Sequence, residues 1–433
     1  MKKFLLILIL AGLAVGGYLY FRDTKPPQIS LTPAAGPVSN KTELLLSLED
    51  AGMGLKQVQV TVVQQDNRMS LTQQDFATGR NAADVQLDLG QLKLDDGDFR
   101  IVVSADDQSI YHFGQGNSSK QSFELTYDTR PPIISVLSKA HNFTKGGSGL
   151  VTFNLNEEAN RVGVQFGDRF FPAYQLDSGS YVCLFSYPFN LAEEDFVPRV
   201  VARDLAGNER PAGIYYRARP KNFRQRRINI SDNFLSMKAP EFESLVPDAS
   251  SPLDIFLYVN RQIRQENRAQ IAQLSQQTAS RPLWDGAFQR QPNTANQAFF
   301  ADYRTYYYAG DKIDQQVHLG QDLASVAQAK IVAGNSGKVI WAEYLGIYGL
   351  CVVIDHGLGL QSLYAHMSQL DVQPGDTVSR GQIIGRSGNT GLAGGDHLHF
   401  GVFVSGVPVQ PIEWWDDHWL EDNITSKLAA IPQ

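Results

Sequence analysis

Alternating apolar and polar positions dominate the chain from about residue 23 to residue 220. Stretches such as "LKQVQVTVV" (55–63), "FRIVVSA" (99–105) and "GLVTFNL" (149–155) are separated by turn signals such as "DDGD" and "LAGN". A period of two over short segments is typical of strands with one face buried. The pattern therefore predicts a series of β-strands joined by tight turns.

A repeat divides this region in two. "DTKPPQISL" begins at Asp23 and recurs as "DTRPPIISV" at Asp128, 105 residues later. Strands of this spacing predict two β-sandwich modules in tandem, over residues 23–127 and 128–219. The segment "ARDLAGNERPA" (202–212) resembles the closing strand and turn of bacterial immunoglobulin-like modules. We expect these modules to act as spacers or adhesive arms.

A helical pattern follows in a polar connector, residues 220–292. Ser251 is suited to cap a helix, Pro252 to its first position, and apolar residues then recur at helical spacing as far as Leu274. We expect one amphipathic helix that packs on a neighbouring domain. A short coiled coil is the alternative.

From residue 293 the chain is rich in glycine and in short apolar runs such as "GKVIWAEY", "GLCVVIDHG" and "HLHFGVFV". Short strands between glycine turns predict a compact antiparallel sheet over residues 293–420, followed by a tail, 421–433. The fold class expected for the whole chain is therefore mainly β, with two sandwiches, a helical connector and a C-terminal sheet domain.

The N-terminal residues 1–22 form a targeting segment. Lys2 and Lys3 precede the apolar run Phe4–Phe21, which as a helix would be about 27 Å long. The run continues past the small residues at 14–16, where a signal peptide would be cut. We therefore expect a single uncleaved membrane span with the rest of the chain exported. A cleaved signal is the alternative.

Charge and cysteine content limit the classes of function. The net charge of −7 argues against a nucleic-acid partner. The basic run 217–227 is interpreted as a solvated linker, with an anion-binding patch as the alternative. Cys183 and Cys351 each lie in an apolar run, which predicts two buried, unpaired thiols.

Five residues of the C-terminal region carry the chemistry. On extended strands, His318 and Asp322 lie on one face, and so do His397 and His399. His366 lies on the same face of its strand as Tyr364. Gly320 leaves room between the first pair. Histidines and a carboxylate turned towards one place, away from the apolar faces, predict a mononuclear Zn²⁺ site. No His-Glu-x-x-His helix is present.

The motifs "HLGQD", "SLYAHMS", "GNTG" and "HLHF" resemble the lysostaphin-type zinc metallopeptidases, family M23. The resemblance covers about a quarter of the chain. It implies a small antiparallel β-fold with a groove, and hydrolysis of peptide crosslinks in peptidoglycan. It also implies that His318, Asp322 and His399 bind Zn²⁺ and that His366 and His397 are the catalytic pair. The matching arginine, Arg304, would have a groove or structural role, and His356 a structural one.

All five residues are present, so we expect an active zinc endopeptidase that acts on peptidoglycan stems or crossbridges. We expect it to be held at the inner membrane with the bulk of the chain in the periplasm, and its two sandwich modules to be surfaces for cell-wall or divisome proteins. Two alternatives stay open. The first is a non-catalytic or autoinhibited cell-wall protein that activates another hydrolase, with the site covered by part of the connector near 270–300. The second is a zinc peptidase that cuts proteins.

Overall fold

The structure is a computed structural model that describes residues 2–431, apart from the side chains of residues 2, 3 and 19. The contacts divide the chain into two compact units. The first comprises Met1–Pro132 with Glu157–Asn160 and Arg203–Arg210, and the second comprises the remainder.

Helix α1 occupies Lys2–Phe21. No helix of the described residues combines the length and the apolar character that a membrane span requires. The membrane anchor predicted for residues 1–22 stays a prediction. The side chains of Lys2 and Lys3 lie outside the described part of the chain.

The first sandwich consists of a three-stranded sheet of order β1-β3-β6 and a five-stranded sheet of order β2-β8-β7-β4-β5. Buried residues of both sheets, such as Leu46, Val60 and Ile101, form one hydrophobic core. The elements are β1 (Gln28–Thr32), β2 (Gly36–Val38), β3 (Leu44–Glu49), β4 (Leu55–Gln64), β5 (Asn67–Asp75), β6 (Ala82–Leu87), β7 (Gly97–Asp107), the helical turn α2 (Tyr111–Gly114) and β8 (Ser118–Tyr127).

The next region has two four-stranded sheets, of orders β14-β15-β11-β9 and β13-β12-β16-β17. Phe171 of one sheet meets Phe185 of the other edge to face, with ring centroids 6.4 Å apart. The strands are β9 (Ile134–Val136), β10 (His141–Thr144), β11 (Ser148–Leu155), β12 (Ala159–Phe166), β13 (Arg169–Pro172), β14 (Tyr174–Gln175), β15 (Tyr181–Ser186), β16 (Arg199–Asp204), β17 (Glu209–Gly213) and β18 (Tyr216–Arg219).

The connector contains more helix than the sequence predicts. The expected helix begins at Pro252, with the Ser251 hydroxyl accepting from the amide of Asp254. A second, unpredicted helix is capped by Ser231 and contains Pro240. A proline inside a short segment reads as a helix breaker, which conceals this helix in the sequence. The elements are β19 (Gln225–Asn229), α3 (Asp232–Phe242), α4 (Pro252–Tyr258), a π-helical turn (Val259–Ile263) and α5 (Arg264–Leu274).

The C-terminal domain is built on a ten-stranded sheet with the central order β20-β23-β30-β27-β26-β25-β28. Its elements are β20 (Ala295–Ala298), β21 (Asp302–Tyr308), β22 (Asp311–His318), β23 (Gln321–Ala324), β24 (Lys330–Val332), β25 (Gly337–Tyr344), β26 (Leu350–Gly357), β27 (Leu360–Leu370), β28 (Thr377–Val378), β29 (Ile383–Ser387), β30 (Leu398–Val404), β31 (Val407–Val409), α6 (Pro411–Trp414), α7 (Asp417–Leu420), a π-helical turn (Glu421–Thr425) and α8 (Ser426–Ala429). The mainly β fold class with a helical connector is confirmed.

The connector packs directly on this domain. Strand β19 pairs in parallel with β21, and Val259, Ile263 and Ile271 share a core with Cys351 and Leu363 of the large sheet. The amphipathic helix therefore covers the sheet domain of its own chain, as the pattern predicts. Cys183 and Cys351 are buried and unpaired, also as predicted.

A buried carboxyl ties α6 to the turn before β11. Glu413 accepts a hydrogen bond from the amide of Ser148 (2.9 Å) and one from the side chain of Gln410 (2.6 Å). Burial raises the pKa of Glu413 to about 7, although the bonds from Ser148 and Gln410 and the charge of Lys221 oppose the rise. The carboxyl is therefore protonated in the folded chain at a pH at which an unfolded glutamate is ionised.

We expect Glu413→Gln to flatten the pH dependence of stability. A folded pKa above the unfolded value adds stability that is complete below about pH 4.5 and is lost as the pH rises towards 7. Over a rise of about 2.5 pKa units the loss in the wild type amounts to roughly 3 kcal/mol, at about 1.4 kcal/mol per unit. Thermal unfolding at several values from pH 5 to pH 8 measures it, with the exposed Glu421→Gln as control. An unchanged slope in Glu413→Gln would show that this carboxyl is not the titrating group.

Candidate active site

Three side chains from three strands converge at one end of the large sheet. His318 ends β22, Asp322 lies in β23, and His399 lies directly opposite Asp322 in β30. The Nε2 atom of His318 is 2.8 Å from Oδ1 of Asp322 and 2.9 Å from Nδ1 of His399. The Nδ1 atom of His399 is 2.9 Å from the same carboxylate oxygen. All three residues are buried.

The tautomer of His318 follows from its second contact. Its Nδ1 atom is 2.9 Å from the carbonyl oxygen of Phe299, which can only accept, so Nδ1 carries the proton. In the neutral ring the Nε2 lone pair then points at Asp322 and His399. Two ring nitrogens and one carboxylate oxygen, mutually within 3 Å, form a donor set that a cation fits.

The absence of a side chain at Gly320 leaves space for the His399 ring. A Cβ atom at Gly320 would lie 2.5 Å from Cε1 and Nε2 of that ring. The predicted space at this position is therefore filled by His399 itself. The Nε2 atom of His399 is buried and has no hydrogen-bond partner in the described chain, so Nδ1 is the nitrogen that faces the polar cluster.

Asp322 remains ionised at this position. Burial raises its pKa, but the facing His318 and the contacts with His318, His397 and His399 outweigh burial, and the pKa lies well below its usual value. Arg304 donates from Nη2 to the second carboxylate oxygen of Asp322 at 3.0 Å. Arg304 therefore orients the carboxylate, which gives a physical basis to its predicted groove or structural role.

His366 and His397 lie beside the three clustered residues. Their ring centroids are 4.9 Å apart, and His366 is 5.8 Å from the ring of His399. His366 donates from Nδ1 to the carbonyl oxygen of Thr390 (2.9 Å). His397 donates from Nδ1 to the carbonyl oxygen of Gly395 (2.8 Å). Each ring is thus left with a lone pair at Nε2, and Nε2 of His397 lies 3.6 Å from Asp322.

The two rings differ in basicity. Burial, together with the nearby His397 and His399, lowers the pKa of His366 well below its usual value. Burial also lowers the pKa of His397, but the nearby carboxylate of Asp322 raises it by more, and the net shift is upwards. His397 is therefore the better proton acceptor of the pair.

Strand alternation fails at His366, so the prediction that Tyr364 shares its face is wrong. Tyr364 is opposite Phe400 and Ala365 is opposite His399 in the β27–β30 pairing, and Tyr364 packs on Phe400 at 5.3 Å. His366 has a left-handed φ of 63°, which turns its ring towards the other histidines. A non-glycine residue with such a φ is strained by about 1 kcal/mol or more.

A supporting ion pair was not predicted. Arg224, in the run interpreted as a solvated linker, donates to both oxygens of Asp302 at 2.8 and 2.6 Å. Asp302 also accepts from the amide of Phe299 (3.1 Å), whose carbonyl holds His318. The pair thus fixes the residue that sets the tautomer of His318. The two residues are 78 positions apart, and no local pattern links them.

His356 lies outside the cavity, as its predicted structural role requires. It is buried between the carbonyl of Ser336 and the hydroxyl of Ser362, each at 2.7 Å. Burial lowers its pKa to about 4.

A cavity of about 530 Å³ opens over the five site residues. One wall is formed by the loop 392–396, and another by Tyr306, Ile347 and Tyr348. The connector contributes side chains as well, namely Ile228, Asn229, Ile230, Phe234, Phe256 and Arg264. The segment of the connector that faces the site therefore lies mainly in 228–264. This is N-terminal to the predicted segment 270–300, of which Gln297 lines the cavity.

We expect Gly320→Ala to disrupt the site while the fold survives. The added methyl group would overlap the ring of His399, so this ring must move away from His318 and Asp322. Affinity for a metal should fall by ~10-fold or more, in the range seen when a ligand's support is removed. Titration with zinc against a chromophoric chelator measures the change, with Gly213→Ala, where a Cβ atom would meet nothing within 4 Å, as the control for a glycine substitution. Unaltered affinity would show that His399 tolerates the displacement.

The comparisons with known proteins concern this domain. Residues 316–411 match the model of peptidase family M23. A segment of 96 residues is 38% identical to "Peptidoglycan DD-endopeptidase ShyA" of Vibrio cholerae and covers 22% of each chain. A segment of 97 residues is 35% identical to "DD-carboxypeptidase/endopeptidase Mpg" of Neisseria meningitidis, again over 22% of each chain. The matches thus span about a fifth of the length of these relatives.

Among solved structures, the catalytic domain of lysostaphin from Staphylococcus simulans is 28% identical, over 28% of this chain and 92% of that domain, with a TM-score of 0.25. The sequence match itself agrees with the motifs and includes His318, Asp322, His366, His397 and His399. The C-terminal part of this chain therefore contains a domain of peptidase family M23.

Proposed function

We propose that this domain is a zinc endopeptidase that hydrolyses the peptide crosslinks of bacterial peptidoglycan. One observation carries the proposal. Two imidazole nitrogens and a carboxylate oxygen meet within 3 Å of one another, beside two further histidines that each have a free Nε2 atom. This donor set suits a catalytic zinc site, which takes three protein ligands and leaves one position open.

The ligands in this proposal are His318 through Nε2, His399 through Nδ1 and Asp322 through Oδ1. When bound, zinc supplies Lewis-acid chemistry that activates water and polarises the carbonyl of a peptide bond. The contacts of Phe299 and Arg304 with His318 and Asp322 support the role because they hold the ligands in the required orientation.

The remaining histidines handle the proton. His397 accepts a proton at Nε2 from the attacking water, because its Nδ1 proton is held by the carbonyl of Gly395 and the lone pair at Nε2 is therefore available. As the carbon–nitrogen bond breaks, the proton passes to the leaving amine. His366 faces the same space, and its Nε2 atom assists by hydrogen bonding to the reacting groups.

The substrate follows from the relatives and from the site together. Both relatives named above are described as endopeptidases, one of them explicitly of peptidoglycan. A cavity of about 530 Å³ is large enough for a short peptide but not for a folded chain. Because peptidoglycan lies outside the inner membrane, we propose that this chain is exported to the periplasm.

A second candidate is the same enzyme held in a covered state. Connector side chains such as Phe234 and Phe256 line the cavity, and the site residues His318, Asp322, His366 and His399 are all buried. In this form the connector must move before a crosslink can enter. The chain would then depend on a partner or on peptidoglycan itself for its activation.

Digestion of purified peptidoglycan sacculi tests the proposal. The zinc-loaded full chain should reduce crosslinked dimers and increase monomers, as identified by mass spectrometry. His397→Ala should leave the dimers intact. Cleavage of a protein such as casein, with intact sacculi, would instead indicate a protein-directed peptidase.

The covered state predicts a different outcome in the same assay. Sacculi would resist the wild-type chain, whereas Phe256→Ala, which opens the connector wall, would release fragments. Resistance of sacculi to both proteins would overturn the proposed enzyme and favour the regulatory alternative.

A further inference from the structure

Three buried carboxylates meet at one end of the first sandwich. Asp23 precedes β1, Asp50 follows β3, and Asp107 ends β7. Each offers an oxygen that lies within 4.8 Å of those of the other two. The exposed fraction is 4% for Asp23, 4% for Asp50 and 0% for Asp107. These residues belong to one compact unit and have no part in the site described above.

One oxygen of this cluster is left without a partner. Oδ2 of Asp50 accepts from the amides of Gly52 (3.0 Å) and Gly54 (2.7 Å). Oδ1 is buried and accepts no hydrogen bond from the described chain. The ion pairs found among the described residues include none of the three carboxylates. A buried acceptor without a partner is costly, and a bound cation would satisfy it.

The surrounding backbone holds the carboxylates in place. Asp107 accepts from the amides of Ser109 (3.0 Å) and Asn117 (2.7 Å) and from the Asn117 side chain (2.7 Å). The Ser109 hydroxyl donates to the carbonyl of Asp23 (2.6 Å). A Cβ atom at Gly52 would overlap the Asp23 carboxylate. The acidic cluster is therefore a rigid cradle rather than a mobile surface patch.

A second cluster of three acidic residues, with similar hydrogen bonds, occurs where the sequence repeat begins again. Asp128, Glu157 and Asp204 also form a cluster that could hold a metal. The amide of Asn208 donates to Asp204 (2.8 Å), and its side chain donates to the other oxygen of Asp204 (3.1 Å) and to the carbonyl of Asp128 (2.8 Å). Asn117 makes the corresponding bonds in the first cluster. Asp128 and Glu157 are more exposed, so the inference below is confined to the first cluster.

We propose that Asp23, Asp50 and Asp107 bind a Ca²⁺ ion. All three supply hard oxygen ligands, which Ca²⁺ prefers and which lack the nitrogen or sulfur atoms favoured by zinc. Mg²⁺ retains several waters in octahedral geometry, and a cluster with exposed fractions of at most 4% has little room for them. The repulsion between the three carboxylates adds to the effect of burial in raising the pKa of Asp50, and a divalent ion relieves it.

The ion would join three segments that are distant in sequence. It would fix the entry of the chain into β1, the turn between β3 and β4, and the end of β7. Binding to the folded state alone stabilises it in proportion to the logarithm of ligand excess. At an excess of about 100-fold over Kd, the unfolding temperature of this sandwich should rise by roughly 10 °C.

Calcium titration of the zinc-loaded full chain, freed of other cations, tests this site. Isothermal calorimetry counts the ions bound per chain, and calorimetric unfolding follows the sandwich with CaCl₂ or with MgCl₂ at equal ionic strength. Asp50→Asn removes the charge with little change of shape. Asp66→Asn, at an exposed position of the same sandwich, is the matched control.

The wild type and Asp66→Asn should each bind one more Ca²⁺ per chain than Asp50→Asn. The difference between the counts is used because the second cluster could also bind an ion. Asp50→Asn should also be more stable than the wild type without calcium, because one buried charge is gone. Equal calcium counts in the wild type and Asp50→Asn would overturn the proposal. Two results with the wild type alone would also overturn the proposal. The first is that it binds no calcium at 10 mM, and the second is that MgCl₂ stabilises it as well as CaCl₂ does.

Discussion

Asp322→Ala is expected to remove zinc binding and, with it, all measurable peptidase activity. The carboxylate lies between His318 and His399, with Oδ1 at 2.8 and 2.9 Å from their nitrogens. Because its pKa lies well below the usual value, it would supply a full negative charge to the ion at any physiological pH. Without it, two neutral imidazoles remain, and the affinity should fall by ~100-fold or more.

Zinc content after exhaustive dialysis, together with competition against a chelator, measures this loss. Asp311→Ala, an exposed aspartate on the same strand as His318, is the matched control and should keep one zinc per chain. Circular dichroism shows whether the sheet persists. A folded Asp322→Ala protein that retains zinc as tightly as the control would contradict the proposed ligand set.

His397→Ala should reduce turnover by about 10²- to 10⁴-fold while zinc stays bound, because general-base catalysis by a positioned side chain contributes a factor of this size. Its Nε2 atom is 3.6 Å from Asp322, farther than the atoms of the proposed ligands. His366→Ala should have an effect of the same kind through the neighbouring ring. In both variants kcat should fall far more than KM changes.

Steady-state cleavage of a crosslinked muropeptide, with zinc content measured on the same samples, tests this assignment. His418→Ala is the control, since this histidine is exposed and lies outside the cavity. A His397→Ala enzyme with wild-type kcat would exclude the proposed proton acceptor. Loss of zinc from His397→Ala would instead make this residue a ligand.

Local patterns in the sequence predicted the strands and the residues that meet at the site. His318, Asp322 and His399 were identified because apolar neighbours in the same strands define which side is buried. The pattern failed at His366, since a left-handed φ is signalled in sequence by glycine and rarely by histidine. Tyr364 was therefore assigned to the wrong face.

Other features depend on contacts between distant residues, which alternation does not encode. The pairing of Arg224 with Asp302 spans 78 positions, so a run of basic residues was interpreted as a linker. The connector faces the cavity through Phe234, in a helix that Pro240 conceals. Asp23, Asp50 and Asp107 are distant in sequence, and the fold alone brings them together.

The central claim is that zinc held by this chain drives hydrolysis of a peptidoglycan crosslink. The most direct test is cleavage of a purified crosslinked muropeptide dimer by the metal-stripped full chain, as zinc is added back in known equivalents. The account predicts no cleavage without metal and a rate that rises to a plateau at one zinc per chain, with two monomers formed from each dimer. Full cleavage by the stripped chain, or an intact dimer at one bound zinc per chain, would contradict it.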